Sequence, residues 1–170
     1  PDSKLYLTKG CFSKMKNEII IAGFGGQGVL SMGKILAYAA LMEGREVTWI
    51  PSYGPEQRGG TANCTVIVSE EEISSPILST FDTAIILNQQ SLDKFEKTIK
   101  PGGTLIYDPY GITKEPTRTD IKFIEMPASS IASELGNMQF ATISMLGCLS
   151  GATGCFSRES FESSLYEVLP

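Results

Sequence analysis

Hydrophobic positions along the chain fall into two kinds of run. Glu18-Ile19-Ile20-Ile21-Ala22 is short, nearly continuous and glycine-bounded, which predicts a strand buried on both faces. Met32, Ile35, Leu36, Ala39 and Ala40 then recur at i, i+3, i+4, i+7 and i+8, the apolar stripe of a helix lying on a sheet. Gly44 ends that helix as its C′ residue. Val47-Thr48-Trp49-Ile50 is the next strand, cut by Pro51. Strand, helix and strand together make a βαβ unit.

The alternation continues. Thr61 to Ser69 predicts a third strand, Thr83 to Leu87 a fourth, Thr104 to Tyr107 a fifth and Ile121 to Met126 a sixth. A helix from about Ser91 to Ile99 precedes a turn at Pro101-Gly102-Gly103. The last part is helical over 128–135, 141–149 and 158–169, with Ser157 as the N-cap of the final helix. The fold class is therefore α/β: a doubly wound, mostly parallel, Rossmann-like sheet with helices on both faces, in three layers. Residues 1–17 read as a leader outside the domain, and 18–170 as a single domain. The last helix stops abruptly at Leu169-Pro170, so the natural chain is expected to continue.

Composition narrows the function. A length of 170 residues with 42% hydrophobic content suits one compact domain. The net charge is −5 and no Lys/Arg block occurs, which argues against nucleic-acid binding. No apolar run reaches the roughly 18 residues of a membrane span, and no signal-peptide pattern opens the chain. A cytoplasmic protein is expected. Histidine is absent, which removes the commonest general base and imidazole metal ligands. Cys11, Cys64, Cys148 and Cys155 do not form a Cys-x-x-Cys pair. Their spacing fits neither zinc nor an iron–sulfur cluster, so free buried thiols are expected and no metal site.

Two glycine-rich segments follow strands and so fall on the rim at the C-terminal strand ends, where ligands of such sheets bind near the switch point. The first is Gly23-Phe24-Gly25-Gly26-Gln27-Gly28. Its G-x-G-x-x-G spacing, with a strand before and a helix after, satisfies the dinucleotide fingerprint. Gly25 and Gly26 permit a tight turn, Gly28 lets the helix approach the sheet, and the helix start offers unpaired N–H groups. A nicotinamide site also needs an acidic residue at the end of the second strand. Ile50-Pro51-Ser52 stands there instead. A helix terminus contributes about 2 kcal/mol to anion binding at best, so a useful site needs Arg58, Lys34 or a second subunit. The second segment, Ser52 to Gly60, sets Arg58 before Gly59 and Gly60. Its guanidinium could clamp a phosphate or carboxylate; an ordinary surface turn is the plainer reading.

The glycine loop, the helix ending Ala37-Tyr38-Ala39-Ala40 and above all Ser52-Tyr53-Gly54-Pro55-Glu56-Gln57-Arg58-Gly59-Gly60-Thr61-Ala62 resemble the gamma subunit of 2-oxoacid:ferredoxin oxidoreductases. The wording of the second loop is closest to the 2-oxoglutarate type, and the resemblance covers about 18–169. It implies an enzyme complex that converts a 2-oxoacid and coenzyme A to acyl-CoA and carbon dioxide, with electrons passed to ferredoxin. Thiamine diphosphate, Mg and iron–sulfur clusters are implied on alpha, beta and ferredoxin-like partner subunits. This chain agrees in lacking a Gly-Asp-Gly thiamine motif. The resemblance assigns this chain no catalytic residue and no resident cofactor; alone it would be inactive, and it leaves open a homodimer of the isolated chain. It points to Gly25, Gly26, Gln27, Gly28, Arg58, Gly59 and Gly60 as the residues associated with coenzyme A access. Asn137, in Asn137-Met138-Gln139-Phe140-Ala141, either caps the following helix or faces a ligand, with the cap favoured. A stand-alone nucleotide-binding protein and a purely structural scaffold subunit are the alternatives.

Overall fold

A computed structural model describes residues 15–54 and 60–169. Six strands form one sheet in the order β2-β3-β1-β4-β5-β6. They are β1 (Lys16–Phe24), β2 (Glu46–Tyr53), β3 (Thr61–Ser69), β4 (Phe81–Ile86), β5 (Ile99–Tyr107) and β6 (Lys122–Glu125). The helices are α1 (Val29–Met42), α2 (Gln89–Phe95), α3 (Ala128–Leu135), α4 (Gln139–Thr153) and α5 (Arg158–Val168). β1, β4, β5 and β6 pair in parallel, whereas β3 runs antiparallel to both β1 and β2. Five strands therefore share one direction, as the α/β alternation predicts, and β3 alone is reversed. The reason is local: β2 ends at Tyr53 and β3 starts at Thr61, and a connection that short cannot make the crossover of a dozen or more residues that a parallel pair needs.

Alternation of side chains across the sheet separates two cores. Ile19 and Ile21 of β1 lie with Met32, Ile35, Leu36 and Ala39 of α1, and with Met145 and Leu149 of α4. Ile20 and Ala22 lie on the other face with Leu92 of α2, Leu105 and Ile121. The predicted α1 stripe is fully buried. Gly44 closes that helix with φ 72°, where its N–H donates to the Leu41 carbonyl. Ser157 caps α5 by accepting the Ser160 N–H.

Four boundaries differ from the sequence reading. Pro51 does not end β2, which runs on to Tyr53; β2 is an edge strand, where a missing N–H is tolerated. Pro101-Gly102-Gly103 is not a turn before β5 but lies inside it. Gly102 has φ 77° and the register to β4 shifts there, which makes a bulge. The helix expected over 91–99 is α2 followed by a 3-10 turn at Glu96–Thr98. α4 starts earlier and ends later than 141–149. Among the described residues, no helix is long and apolar enough to cross a membrane.

Candidate functional site

The chain leaves β1 to one side of the sheet and β4 pairs on the other, so the switch point lies between these two strands. The glycine loop sits at that place. Gly26 turns with φ 92°, and Gly28 caps α1 with φ 78°. Gln27 holds the loop in shape: its Oε1 accepts the Phe24 N–H at 2.6 Å, and its amide Nε2 donates to the Leu87 carbonyl at 3.5 Å. The Gln27 side chain is thus turned onto its own loop and the end of β4. Gly25 needs no special backbone angle; its N–H donates to the Gly60 carbonyl at 3.0 Å. That bond ties the first glycine segment to the second, and the shared rim expected from the strand directions is the arrangement found. Arg58 and Gly59 lie outside the described residues.

Gly28 and Gly33 divide the work that the sequence assigns to Gly28 alone. Close approach of α1 to the sheet depends on Gly33, where a Cβ would lie 2.5 Å from the Trp49 indole nitrogen and 2.6 Å from the Cys64 sulfur. Gly28 instead faces α4, where its Cβ would lie 2.5 Å from Thr142 Oγ1. Lys34, considered as support for an anion, sits over the Trp49 ring, 5.5 Å from its centroid. It does not line the cleft.

That cleft, of about 300 Å³, opens between the glycine loop, the ends of β4 and β5, and the starts of α3 and α4. Gly26, Gly28 and Ser31 line it together with Asp108, Ser129 and Thr142. Three helices begin here, and none has a side-chain bond from its own cap residue or an acidic residue in its first turn. Other residues cover two of them. Asn137 Oδ1 accepts the Gln139 N–H at 2.9 Å, which supports the cap reading for Asn137. Asp108 Oδ2 accepts both the backbone N–H and the hydroxyl of Ser129, at 2.8 and 2.6 Å. The start of α1 is different: the N–H groups of Gly26, Gly28, Val29, Leu30 and Ser31 bond to no described residue. Unpaired first-turn donors with the positive end of the helix dipole behind them attract an anion.

Asp108, Ser129 and Thr142 escaped the sequence reading. Asp108 does carry one signal, since it directly follows the fifth strand at the ligand-bearing rim. Ser129 and Thr142 come from helices far along the chain, and no local pattern marks them. The thiols stand apart from the site. Burial pushes the Cys64 thiol up to about 12 and the Cys155 thiol to about 11. Among the described residues, no group of three or more His, Cys, Asp or Glu could hold a metal ion.

Residues 18–170 match the family described as pyruvate ferredoxin/flavodoxin oxidoreductase. The chain belongs to this family. Its relatives agree. It is 45% identical over 150 residues to the ketoisovalerate oxidoreductase subunit VorA of Methanothermobacter marburgensis, covering 87% of this chain and 31% of that one. It is 38% identical over 160 residues to the 2-oxoglutarate synthase subunit KorC of Methanocaldococcus jannaschii, covering 92% and 86%. The chain therefore spans about a third of the ketoisovalerate relative and most of the 2-oxoglutarate one. Among solved structures, it resembles the gamma subunit of the keto/oxoacid ferredoxin oxidoreductase from Geobacter sulfurreducens PCA, with TM-score 0.77, 31% identity and coverage of 91% and 87%. It also resembles a 2-oxoglutarate:ferredoxin oxidoreductase from Magnetococcus marinus with 2-oxoglutarate, coenzyme A and succinyl-CoA bound, with TM-score 0.82 and 28% identity. That match covers 91% of this chain and 27% of the other. The α/β sheet of this family domain is the one the sequence predicts.

Proposed function

We propose that the chain is the gamma-type subunit of a 2-oxoacid:ferredoxin oxidoreductase, with 2-oxoglutarate the expected oxoacid. It assists coenzyme A-dependent oxidative decarboxylation to acyl-CoA and carbon dioxide, with electrons passed to ferredoxin. The observation that carries the coenzyme A role is the set of unpaired N–H groups at the start of α1, those of Gly26, Gly28, Val29, Leu30 and Ser31, of which Gly26, Gly28 and Ser31 line the cleft at the switch point. These donors suit a phosphate of coenzyme A. Gly60 braces the loop from the neighbouring segment, and Arg58 and Gly59 complete the group assigned to coenzyme A. One helix terminus adds about 2 kcal/mol at most, roughly a thirtyfold gain. Tight binding therefore needs Arg58 or a partner chain as well.

Partner contact has its own support on the same rim. Phe24, Tyr53, Tyr110 and Met138 are exposed there, Tyr110 at 83%. Alpha and beta subunits, which would carry thiamine diphosphate, Mg and iron–sulfur clusters, are the proposed occupants. The cytoplasm is the proposed location.

Two measurements test the reading. Adding the purified chain to its alpha and beta partners is expected to restore oxoacid-dependent ferredoxin reduction; partners that assemble and work equally well without it overturn the proposal. Coenzyme A at a hundred times its Kd is expected to stabilise the chain by about 2.7 kcal/mol, a rise in Tm of about 5–10 °C for a domain of this size. A shift with NAD and none with coenzyme A reverses the assignment to a nucleotide-binding protein.

A further inference from the structure

The sheet has two edges, and they are not alike. β6 is four residues long and carries a charge at each end, Lys122 and Glu125. Short, charged edges resist pairing with another chain. β2 is eight residues long, and Glu46 at its start is its one charge. Val47, Thr48, Trp49 and Ile50 follow, a β-branched and aromatic run suited to strand pairing. Among the described residues, no strand pairs with β2 on its outer side.

Which backbone groups of β2 face outward follows from one bond. The Gly54 N–H donates to the Thr61 carbonyl at 2.8 Å, just beyond the Tyr53–Ala62 pair that ends the ladder. Alternate residues of an antiparallel strand bond to the same neighbour. Ser52, Ile50, Thr48 and Glu46 therefore bond to β3, and Tyr53, Pro51, Trp49 and Val47 turn their backbone groups away. Pro51 agrees, since it has no N–H to give β3.

We propose that β2 is the seam of a homodimer: a second copy of this chain pairs with it antiparallel, joining the two sheets about a twofold axis at Thr48. Pro51 selects that register. Val47 of each copy lies opposite Trp49 of the other, and each such pair exchanges both of its N–H···O=C bonds. Pro51 falls opposite Arg45, whose N–H already donates to the Ala40 carbonyl at 3.2 Å, so the ladder ends where Pro51 has nothing to give. An axis at Trp49 would instead set Pro51 opposite Val47 and lose a bond at each end.

The side chains fit the same register. Glu46 meets Ile50 of the second copy, so the one charge of the strand faces no like charge. Trp49 and Val47 make an aromatic–β-branched pair, a stabilising combination across strands. Thr48 meets its own copy in a non-hydrogen-bonded pair, where side chains come closest. Its Oγ1 is buried and has no hydrogen-bond partner among the described residues; a Thr–Thr pair across the seam supplies one. A second copy is the occupant because this edge is complementary to itself. The seam runs along the side of the sheet, leaves Tyr110 and Met138 on the rim free, and does not depend on the coenzyme A reading.

The test uses the full chain. Sedimentation velocity is expected to show a monomer–dimer equilibrium below about 1 mM, as for a small interface. Trp49 is the only tryptophan, and its emission should shift on dilution with the same midpoint. Thr48→Lys and Thr48→Glu alone should each weaken self-association about tenfold, and an equimolar mixture of the two should restore it. Thr48→Cys, a conservative change that keeps the proposal testable if the charged variants do not fold, should form an intermolecular 48–48 disulfide under mild oxidation. Ile50→Cys alone should form none, because its opposite residue is Glu46. A monomer at every concentration, a dimer indifferent to the Thr48 variants, or equal crosslinking of Thr48→Cys and Ile50→Cys would overturn the proposal.

Discussion

Replacing Gly28 by Ala should strain this domain twice, and the two strains can be separated. Gly28 has φ 78°, a left-handed conformation that costs an ordinary residue roughly 1–2 kcal/mol. The new methyl would also lie 2.5 Å from Thr142 Oγ1. Thr142 is buried, so it must be displaced within a packed core, at a cost of about 1–3 kcal/mol. Gly28→Ala should therefore lose roughly 2–5 kcal/mol in urea denaturation, the sum of those two costs. In a Thr142→Ala background the hydroxyl is gone and the nearest remaining Thr142 atom, its Cβ, is 3.9 Å away. Only the backbone strain should survive there, so the double-mutant cycle should show a coupling of roughly 1–3 kcal/mol. Gly44→Ala is the control: φ is 72° with nothing within 4 Å of the added carbon, so its cost should be the backbone strain alone. An additive cycle, or equal losses for Gly28→Ala and Gly44→Ala, would refute the claim that α4 presses on the glycine loop.

Three further outcomes follow from the packing. Burial alone would raise the Glu18 carboxyl, but hydrogen bonds from Lys100 and Lys16 outweigh it and hold it below its ordinary 4.5. Its stabilisation is therefore present above pH 4.5 and is lost as pH falls through the lowered value. Glu18→Gln should flatten that acid limb in pH-dependent urea melts and cost about 2 kcal/mol at neutral pH. That figure lies between exposed and buried pairs, since the Glu18 side chain is 9% exposed and that of Lys100 36%. The raised thiols of Cys64 and Cys155 should resist alkylation at pH 8 in the native chain. Half-buried Cys148 should react before either, as peptide mapping by mass spectrometry would show. Gly147 sits in α4 with open space around its missing side chain. Gly147→Ala should add up to about 1 kcal/mol of helix stability and raise the Tm by about 2–4 °C, whereas Gly33→Ala should lower it.

What could be read from the sequence was whatever is written in a local period. The α1 stripe, the buried β1 run and the Ser157 cap each depend on residues within a few positions, and each appears as expected. The failures arise where distant residues decide. Pro51 would end a central strand, but its place at the sheet edge depends on β3 having come between β2 and β1. Gly102 and Gly103 form a turn pair on paper; β4 alongside converts them to a bulge. The site divides in the same way. The glycine loop was visible because strand, loop and helix are contiguous. The rest of the lining was hidden because Asp108, Ser129 and Thr142, far apart in the chain, come to one cleft only when α3 and α4 are in place.

The position of β3 also changes the grounds on which a nicotinamide cofactor is rejected. In sequence, the objection is compositional: no carboxylate stands at Ile50-Pro51-Ser52 to take a ribose hydroxyl. In a dinucleotide fold that residue works because it ends the strand beside the glycine-loop strand. Here β3 lies between them, so β2 is two strand spacings from β1, about 10 Å at about 4.8 Å per spacing. An acid placed at Ser52 would end the wrong strand. The neighbour of β1 on that side is the start of β3, and its first contact with the loop is the Gly60 carbonyl, already bonded to Gly25. Ser52→Asp should therefore confer no NAD binding, where an adjacent-strand geometry would predict some. The inserted strand removes the ribose site by topology. It also brings Gly60 beside the glycine loop, so one rearrangement accounts for both the lost dinucleotide feature and the Gly25–Gly60 bond.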